Sequence, residues 1–428
     1  MNEGGSWQVS RRKVLGYAVL AGTATLLPGS IVAYGRAAIK SLEESGMASR
    51  IEAFIKGWDT IGEHRTGTEG DRQTALWLAG YIEQFGGEPH LQGFPFVRRE
   101  FTQAYLQIHD TRIEGLPCFD TLPQTDPVAG KLGELASEAP LGVGEFMPNA
   151  PSPYNQPMYA ARQAAQHLGI VVIAAGAAVR PGLAVVNAES YSEPYGPPVL
   201  QVGTEHRDQI KAAMAKGVEG RLVISETQHE TEAYNVQVAV PGQRPELAPV
   251  VVMTPRSGWW HSTSERGGGI AAWLEAIRSL LAEPARRPVL FTANTGHELG
   301  HVGMKAFQSK YPGLDTSAHC WVHLGANFAA AGGGVRYQAS DARLMELGLT
   351  QLRLMDVDPD MITPQDDRPF GEARDIFDAG GRYVSLLGSN PLFHHPDDRW
   401  PEAVDLAKTE RATQAMVSLI RALANQES

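Results

Sequence analysis

Short apolar runs alternate with helical patterns over residues 234–428, and this alternation constrains the fold more than any other feature of the chain. Residues 250–253 and 288–293 are rich in β-branched side chains, whereas residues 270–281 have helical periodicity between them. Parallel strands need long crossover connections, which helices usually provide. The pattern therefore predicts an α/β fold, with a mostly parallel sheet and helices on both faces.

Residues 45–112 are predicted to open the same domain, and residues 115–233 to form a small β-rich domain inserted into it. Helical periodicity covers residues 51–61 and 71–85 in the opening part. The inserted part has a buried-strand pattern at 170–174, followed by shorter strands and helices joined by long loops rich in Pro and Gly. This composition favours a small sandwich with flanking helices.

The first 37 residues have the pattern of a secretory signal peptide. The sequence SRRKVLG at residues 10–16 is a twin-arginine pattern, an apolar run follows at 14–27, and small residues suitable for cleavage come next. We expect export by the twin-arginine route, to the periplasm or outside the cell. An uncleaved signal anchor is the alternative, because the apolar run is close to the lower length of a membrane span.

The charge balance limits the possible partners. The formal net charge is -11, and no block of Lys or Arg follows the signal. Such a chain disfavours nucleic acid and anionic membrane surfaces as partners. Cys118 and Cys320 are too few for a disulfide framework, so we expect two buried thiols, with a single bond between them as the alternative.

Candidate catalytic and metal-binding residues cluster where the later strands are predicted to end. They lie in residues 262–269, 296–301 and 393–398. In open α/β sheets, ligands bind at the carboxyl ends of the strands. Carboxylate and imidazole groups from three such ends can converge on one zinc ion.

The sequence HELGH at residues 297–301 also matches the H-E-x-x-H motif, in which two histidines of one helix bind zinc. That motif needs a continuous helix, and Gly300 and Gly303 weaken one here. No third-ligand motif follows at the required spacing. We therefore favour the arrangement at the strand ends and keep the helical motif as the alternative.

Several local patterns together resemble the zinc exopeptidase family of aminopeptidase Y, the bacterial leucyl aminopeptidases and the glutamate carboxypeptidases. Residues 269–275 resemble the helix after the family's G-A-D-D-N segment. Glu298 and Gly300 fit its E-E-x-G segment, and FHHPDD at 393–398 fits its Y-H-T-P-D-D segment. The resemblance covers residue 50 to the end. It implies a zinc aminopeptidase-like fold, a protease-associated-like insert, and hydrolysis of a peptide or amide bond.

The resemblance also implies that the metal site is reduced from two zinc ions to at most one. Pro255 stands where the family has its first His ligand, and Gly325 where it has its late Asp ligand. The ligands of the other zinc correspond to Glu265, Glu298 and His394. All three are competent zinc ligands, and three protein ligands with one open position are typical of a catalytic zinc.

The remaining site residues follow from the same comparison. His297 stands where the family has its general-base Glu, and we predict that it handles the proton, because histidine titrates near ~6.5. Arg256 is predicted to bind a substrate carboxylate, and Trp259 and Trp260 an apolar group. Packing within the loop is the alternative for these three. His323 is a minor candidate for the same pocket.

Three functional hypotheses stay open. The first is an exported hydrolase that holds one zinc and cuts a small peptide or amide substrate. The second is a repurposed acyl-transfer or cyclisation enzyme that uses the same pocket. The third is a non-catalytic binding protein. Glu265 is one methylene longer than the family's Asp and precedes Arg266, so an ion pair between these two residues is the alternative to a metal bond.

Overall fold

The structure is a computed structural model that describes residues 45–124, 126–149, 152–175 and 180–427. The signal peptide predicted in residues 1–37 lies outside the described residues. Within the described ranges, we find no helix with the length and apolar character that a membrane span requires.

The described residues form strands and α-helices that are numbered here in chain order. The strands are β1 (His90–Ile108), β2 (Thr111–Glu114), β3 (Leu116–Pro117), β4 (Val128–Glu134), β5 (Leu141–Phe146), β6 (Gly169–Ala174), β7 (Val199–Val202), β8 (Glu219–Val240), β9 (Val250–Pro255), β10 (Val289–Asn294), β11 (Cys320–Leu324), β12 (Val335–Ala339), β13 (Met361–Ile362) and β14 (Tyr383–Gly388). The helices are α1 (Met47–Ile61), α2 (Glu69–Gln84), α3 (Gln156–Ala164), α4 (Arg207–Ala215), α5 (Thr263–Ala282), α6 (Val302–Lys310), α7 (Leu314–Ser317), α8 (Ala342–Leu354), α9 (Ala373–Asp378) and α10 (Leu406–Ala424).

The centre of the sheet is parallel. Strands β14, β11, β9 and β10 lie side by side in that order and run in the same direction. Antiparallel strands continue the sheet on both sides, with β8 next to β10 and β12 next to β14. The residues of β9 and β11 are all buried, as expected for parallel strands that are covered on both faces.

Alternate residues of β9 point into two different apolar cores. Val250 and Val252 pack with side chains of α1, α5 and α10. Val251 and Met253 pack on the other face, with side chains of α6 and α9. This alternation follows from the two-residue period of a strand. The predicted α/β fold, with a mostly parallel sheet and helices on both faces, is confirmed.

Two long strands connect this core with the rest of the sheet. Strands β1 and β8 pair antiparallel from His90 opposite Gln237 to Ile108 opposite Gly220. The far end of β8 pairs with β4, and β5, β6, β7 and β3 continue from there. These outer strands pack around apolar clusters separate from the main core. The proposed division into residues 45–112 with 234–428 and an insertion at 115–233 stays a prediction.

The two cysteines lie in different apolar clusters. Cys118 packs with the outer strands, whereas Cys320 lies in the main core beneath the central sheet. Both thiols are free and buried, as expected from the sequence. Burial raises the pKa of each thiol to about 12, so neither is a reactive thiolate at neutral pH.

Candidate functional site

The three predicted metal ligands come together beyond the carboxyl ends of the parallel strands. Glu265 lies in the first turn of α5, and Glu298 in a 3-10 turn that follows β10. His394 lies in the loop after β14, and its Nε2 atom is 3.3 Å from Oε1 of Glu265. The strand-end rule therefore places these side chains correctly relative to one another.

The guanidinium of Arg266 lies between the two carboxylates. Its Nη2 atom is 2.9 Å from Oε1 of Glu265 and 2.5 Å from Oε1 of Glu298. Its Nε atom donates to the backbone carbonyl of Ser257 at 2.6 Å. A guanidinium stays charged even when buried, and burial of such charges requires close partners. Arg266 therefore supplies the positive charge that the two carboxylates need at this depth.

A zinc ion does not fit this arrangement. An ion shared by Glu265 and Glu298 would have to lie between their carboxylates, where the guanidinium of Arg266 is already placed. A divalent cation would also be repelled by the adjacent guanidinium. Within the described part of the chain, no group of three or more His, Cys, Asp or Glu is placed to hold a metal ion. The set Glu265, Glu298 and His394 forms an ion-pair centre here instead of the predicted zinc site.

The contacts of Glu265 are electrostatic more than hydrogen-bonded. Both of its carboxylate oxygens, and Nε2 of His394, have no well-aligned hydrogen bond among the described residues, although the distances to Arg266 and His394 are short. Burial alone would raise the pKa of Glu265, but the charges of Arg266 and then His394 lower it to about 2. Glu265 is therefore a carboxylate at neutral pH, as the ion-pair centre requires.

A loop at residues 183–191 covers the ion-pair centre. This loop belongs to the outer region, which is the part of residues 115–233 that carries the outer strands. Nδ1 of His394 lies 2.7 Å from the carbonyl oxygen of Val185, and it carries the proton, because a carbonyl oxygen can only accept. The backbone N–H of Ala188 donates to the carbonyl of Glu298 at 2.8 Å. The side chains of the centre are almost completely buried beneath this loop.

His297, the predicted catalytic base, is only 8% exposed and is not held as a base would be. Its Nδ1 atom lies 3.7 Å from Oε1 of Glu372. Burial, followed by the charge of Arg266, lowers the pKa of His297 well below its usual value. Burial raises the pKa of Glu372 to about 8. At neutral pH, a neutral imidazole therefore faces a protonated carboxyl group.

The alternative helix through HELGH is not formed. Residues His297–Leu299 make a single 3-10 turn, and Gly300 and His301 have left-handed backbone angles, with φ of 68° and 59°. Helix α6 begins only afterwards. The two imidazoles stack at 4.9 Å, and His301 pairs with Asp375 at 2.5 Å, so they do not share a metal from one helical face.

Arg256, the predicted ligand for a substrate carboxylate, is completely buried. Its Nη1 atom donates to the side chain and to the carbonyl of Asp71, both at 2.8 Å, and its Nη2 atom donates to the carbonyl of Tyr234. Asp71 also accepts from Thr295 at 2.8 Å. A guanidinium paired in this way has no fork to offer a ligand. The structure corrects this prediction: Arg256 ties α2 to the end of β9.

The two tryptophans occupy different positions. Trp259 is 2% exposed, lines a cleft, and packs on Phe119 with ring centroids 4.8 Å apart. Trp260, the predicted substrate contact, donates from its indole N–H to the carbonyl of His394 at 3.0 Å and does not line that cleft. It supports the loop that carries His394. His323 is buried on Ser385, at 2.9 Å, and also lies outside the cleft.

The cleft lies next to the ion-pair centre and is partly open to solvent. Of the predicted site residues, Glu298 and Trp259 line it; Glu265, His297 and His394 do not. Its walls are formed by Arg65, Thr66, Thr68, Phe96, Arg98, Arg99, Glu100, Phe119, Tyr191, Gly258, Trp259, Glu298 and Leu299.

Arg65 and Arg98, the two partly exposed arginines of this cleft, are not marked as binding residues by any sequence pattern. Arg65 belongs to a glycine-rich loop, and Arg98 to a charged run within β1. A charged run in a strand usually marks a solvent-exposed face. Only the folded arrangement of the loop beside β1 brings these two residues into one cleft.

No protein-family model and no curated relative matches the sequence. Solved structures match over most of the chain. A zinc aminopeptidase from Bacillus subtilis has a TM-score of 0.73 and 14% identity, and the match covers 89% of this chain and 96% of that chain. A Peptidase M28 precursor from Shewanella amazonensis SB2B has a TM-score of 0.70 and 14% identity, with 91% and 97% covered. An aminopeptidase from Aneurinibacillus sp. strain AM-1 has a TM-score of 0.68 and 11% identity, with 89% and 95% covered.

At these identities the likeness establishes the fold alone. The chain has the fold of the zinc aminopeptidases, which confirms the fold implied by the resemblance in the sequence. The protease-associated character of the outer region and the number of zinc ions stay predictions. Fold does not determine chemistry, so the function depends on the centre and the cleft described above.

Proposed function

We propose that this chain is a binding protein that holds a peptide or amide ligand on a zinc-aminopeptidase fold and does not cut that ligand at a metal centre. The observation that carries this proposal is the position of Arg266, whose guanidinium contacts both Glu265 and Glu298. Zinc polarises a carbonyl and lowers the pKa of a bound water. A guanidinium that is committed to two carboxylates does neither.

The closure of the centre supports binding over hydrolysis. A hydrolase needs a base within hydrogen-bonding reach of the proton that it removes. Of the predicted catalytic groups, Glu298 alone reaches the cleft, and its carboxylate oxygens are held by Arg266 and by the Ser257 hydroxyl at 2.5 Å. His297 lies outside the cleft and contacts Glu372.

The ligand class follows from the fold and from the cleft. The similar structures are peptidases, which suggests a peptide or amide ligand. The cleft is partly open to solvent, so a ligand can enter it from the surface. It combines aromatic walls with a few charged groups, as such sites generally do.

Export completes the proposal. The twin-arginine pattern at residues 10–16 and the apolar run at 14–27 support export to the periplasm or outside the cell. Residues 1–37 would then be the signal peptide, and residues 115–233 an inserted domain that covers the centre.

Metal analysis of the exported protein, together with an assay on aminoacyl-amides in added zinc, tests the proposal. We expect zinc far below one ion per chain, and no cleavage above the level of a Glu298→Gln variant. Stoichiometric zinc that is lost together with cleavage in Glu298→Ala would contradict the proposal and return the chain to the zinc hydrolases. Zinc-free activity that is lost in His297→Asn would instead support the repurposed enzyme.

A further inference from the structure

Two arginines of the cleft have unused hydrogen-bonding capacity. The Arg65 side chain contacts Glu63 at 3.8 Å. Arg98 contacts the Gly67 carbonyl at 3.4 Å and Glu100 at 3.5 Å, and both distances are longer than those of ordinary N–H···O hydrogen bonds. Among the described residues, the Nε atoms of both arginines are buried and have no hydrogen-bond partner. Their side chains are 32% and 26% exposed, so a ligand can reach them.

The other arginines near the site are paired with carboxylates and buried, so a ligand cannot reach them. Arg99 makes two bonds to Glu226 and two to backbone carbonyls, one of them to Thr121 at 2.8 Å. Arg256 and Arg266 are held by buried carboxylates. Arg65 and Arg98 therefore differ from their neighbours in being partly exposed while making only long contacts to protein groups.

The carboxylates near these two arginines are each in contact with a basic side chain, as Glu63 is with Arg65. Glu100 contacts both Arg98 and His229, and its Oε2 atom lies 2.9 Å from Nε2 of His229. Glu298 contacts Arg266, which it shares with Glu265. Arg65 lies 3.8 Å from Glu63 and Arg98 lies 3.5 Å from Glu100, and such long, partly exposed ion pairs are weak, so a carboxylate ligand can compete for both guanidinium groups.

Aromatic side chains form the rest of the wall. Phe96 stacks on Tyr191 with ring centroids 5.5 Å apart, and Phe119 packs on Trp259 at 4.8 Å. The Tyr191 hydroxyl donates to the Val97 carbonyl at 2.6 Å, which fixes its ring. A pre-formed aromatic surface binds an apolar group at a low entropy cost.

The geometry points to an acidic peptide as the ligand of this cleft. A side-chain carboxylate of the peptide is held by Arg65 and Arg98, and a neighbouring aromatic side chain packs near Phe119 and Trp259. Arginine is suited to this task because its donor fork matches a carboxylate. This inference rests on the proposed binding function, and it names the ligand that the site selects.

Calorimetric titration of the full exported chain with two matched peptides tests the inference. The probes are N-acetyl-Glu-Phe-amide and N-acetyl-Gln-Phe-amide, which have nearly the same shape and differ in charge. We expect the acidic peptide to bind at least about tenfold more tightly, and Arg65→Gln and Arg98→Gln each to lose most of that preference. Arg286→Gln removes the same charge at an exposed residue outside the cleft, paired with Glu427, and keeps the preference.

The outcomes separate this inference from the proposed function. Equal binding of the two peptides, weakened by Tyr191→Ala, overturns the selection of an anion and leaves peptide binding in place. Zinc-dependent cleavage overturns the binding function, while a lower KM for the acidic peptide would still support the anion site. Binding of neither peptide overturns the inference, whereas the zinc content decides the proposed function independently.

Discussion

The Nη2 atom of Arg266 lies 2.5 Å from Oε1 of Glu298, and the same atom contacts Glu265, its neighbour in the chain. Glu298 follows β10, whereas Arg266 belongs to the first turn of α5, so this ion pair joins two elements at the end of the sheet. The cation is part of the chain itself. Charge balance at the centre of this fold therefore does not depend on a supply of metal.

Removal of this cation is predicted to destabilise the fold. Arg266→Met leaves two buried carboxylates without a counter-charge, which typically costs about 3–5 kcal/mol. Urea unfolding monitored by tryptophan fluorescence measures the free energy of unfolding. Arg278→Met is the matched control in the same helix, because Arg278 is 31% exposed and Glu275 keeps Arg50 as a partner. It should cost less than about 1 kcal/mol.

A second substitution tests the cause of that loss. Glu298→Gln in the Arg266→Met background removes one of the two unpaired charges and should recover part of the stability. Equal stability of Arg266→Met and Arg278→Met would show that the guanidinium does not balance the centre.

The strand–helix pattern predicted the sheet well, because burial on both faces leaves an unmistakable apolar pattern. The predicted strand at 250–253 is β9, and the predicted helix at 270–281 is α5. The helical periodicity of the sequence begins only at residue 270, whereas α5 begins at Thr263. The difference arises because the three glycines at 267–269 have low helix propensity. Their reason is tertiary: a Cβ on Gly269 would lie 2.6 Å from the Thr254 hydroxyl oxygen.

The site was predictable only in part. The strand-end rule brings Glu265, Glu298 and His394 together, but it does not say which neighbouring side chain turns inward between them. The pairing of Arg256 with Asp71 could not be predicted from the sequence, because the two residues are 185 positions apart. Local patterns carry no information about a partner at that separation.

The buried pair of Arg256 and Asp71 should show strong coupling. Each single substitution, Arg256→Met or Asp71→Asn, leaves a buried polar group without its charged partner and should lower the free energy of unfolding by about 3–5 kcal/mol. The double variant should cost clearly less than the sum of the two, because neither charge is then left alone. A double-mutant cycle from chemical denaturation measures this difference.

The exposed pair of Arg368 and Asp378 provides the comparison. Their side chains are 54% and 46% exposed, so their coupling should lie within about 0–1 kcal/mol. If the buried pair gave the same coupling as this pair, burial would not strengthen it.

Glu372 should make the protein less stable as the pH rises. Burial raises its pKa in the folded state to about 8, so between about pH 4.5 and 8 the folded protein keeps a proton that the unfolded chain releases. Its stabilising contribution is complete below about pH 4.5 and is lost as the pH rises through 8, by up to about 1.4 kcal/mol per pH unit.

Glu372→Gln tests this directly, because glutamine stays uncharged throughout. The variant should gain stability relative to the unmodified protein between pH 5 and pH 8, as measured by denaturant unfolding at each pH. Asp378→Asn is the control, because the hydrogen bond to Arg368 lowers the pKa of this exposed carboxyl group. The Asp378→Asn variant should therefore keep the dependence of the unfolding free energy on pH between pH 5 and pH 8. If the free energy of unfolding of Glu372→Gln fell with pH as steeply as that of the unmodified protein, Glu372 would be ionised in the folded state.

The hydrogen bond from His394 to Val185 should hold residues 183–191 over the ion-pair centre. His394→Ala removes the donor at 2.7 Å, which is worth ~1 kcal/mol, so amide hydrogen exchange in this loop should accelerate about fivefold. His394→Asn is the matched variant, because an asparagine amide offers a donor near the position of Nδ1. Asparagine also tolerates the left-handed backbone at this residue, where φ is 57°, better than alanine does. The asparagine variant should therefore exchange at close to the original rate, while amides of β6 stay protected in both. Equal exchange in the alanine and asparagine variants would show that the loop is held by its other contacts, such as that between Ala188 and Glu298.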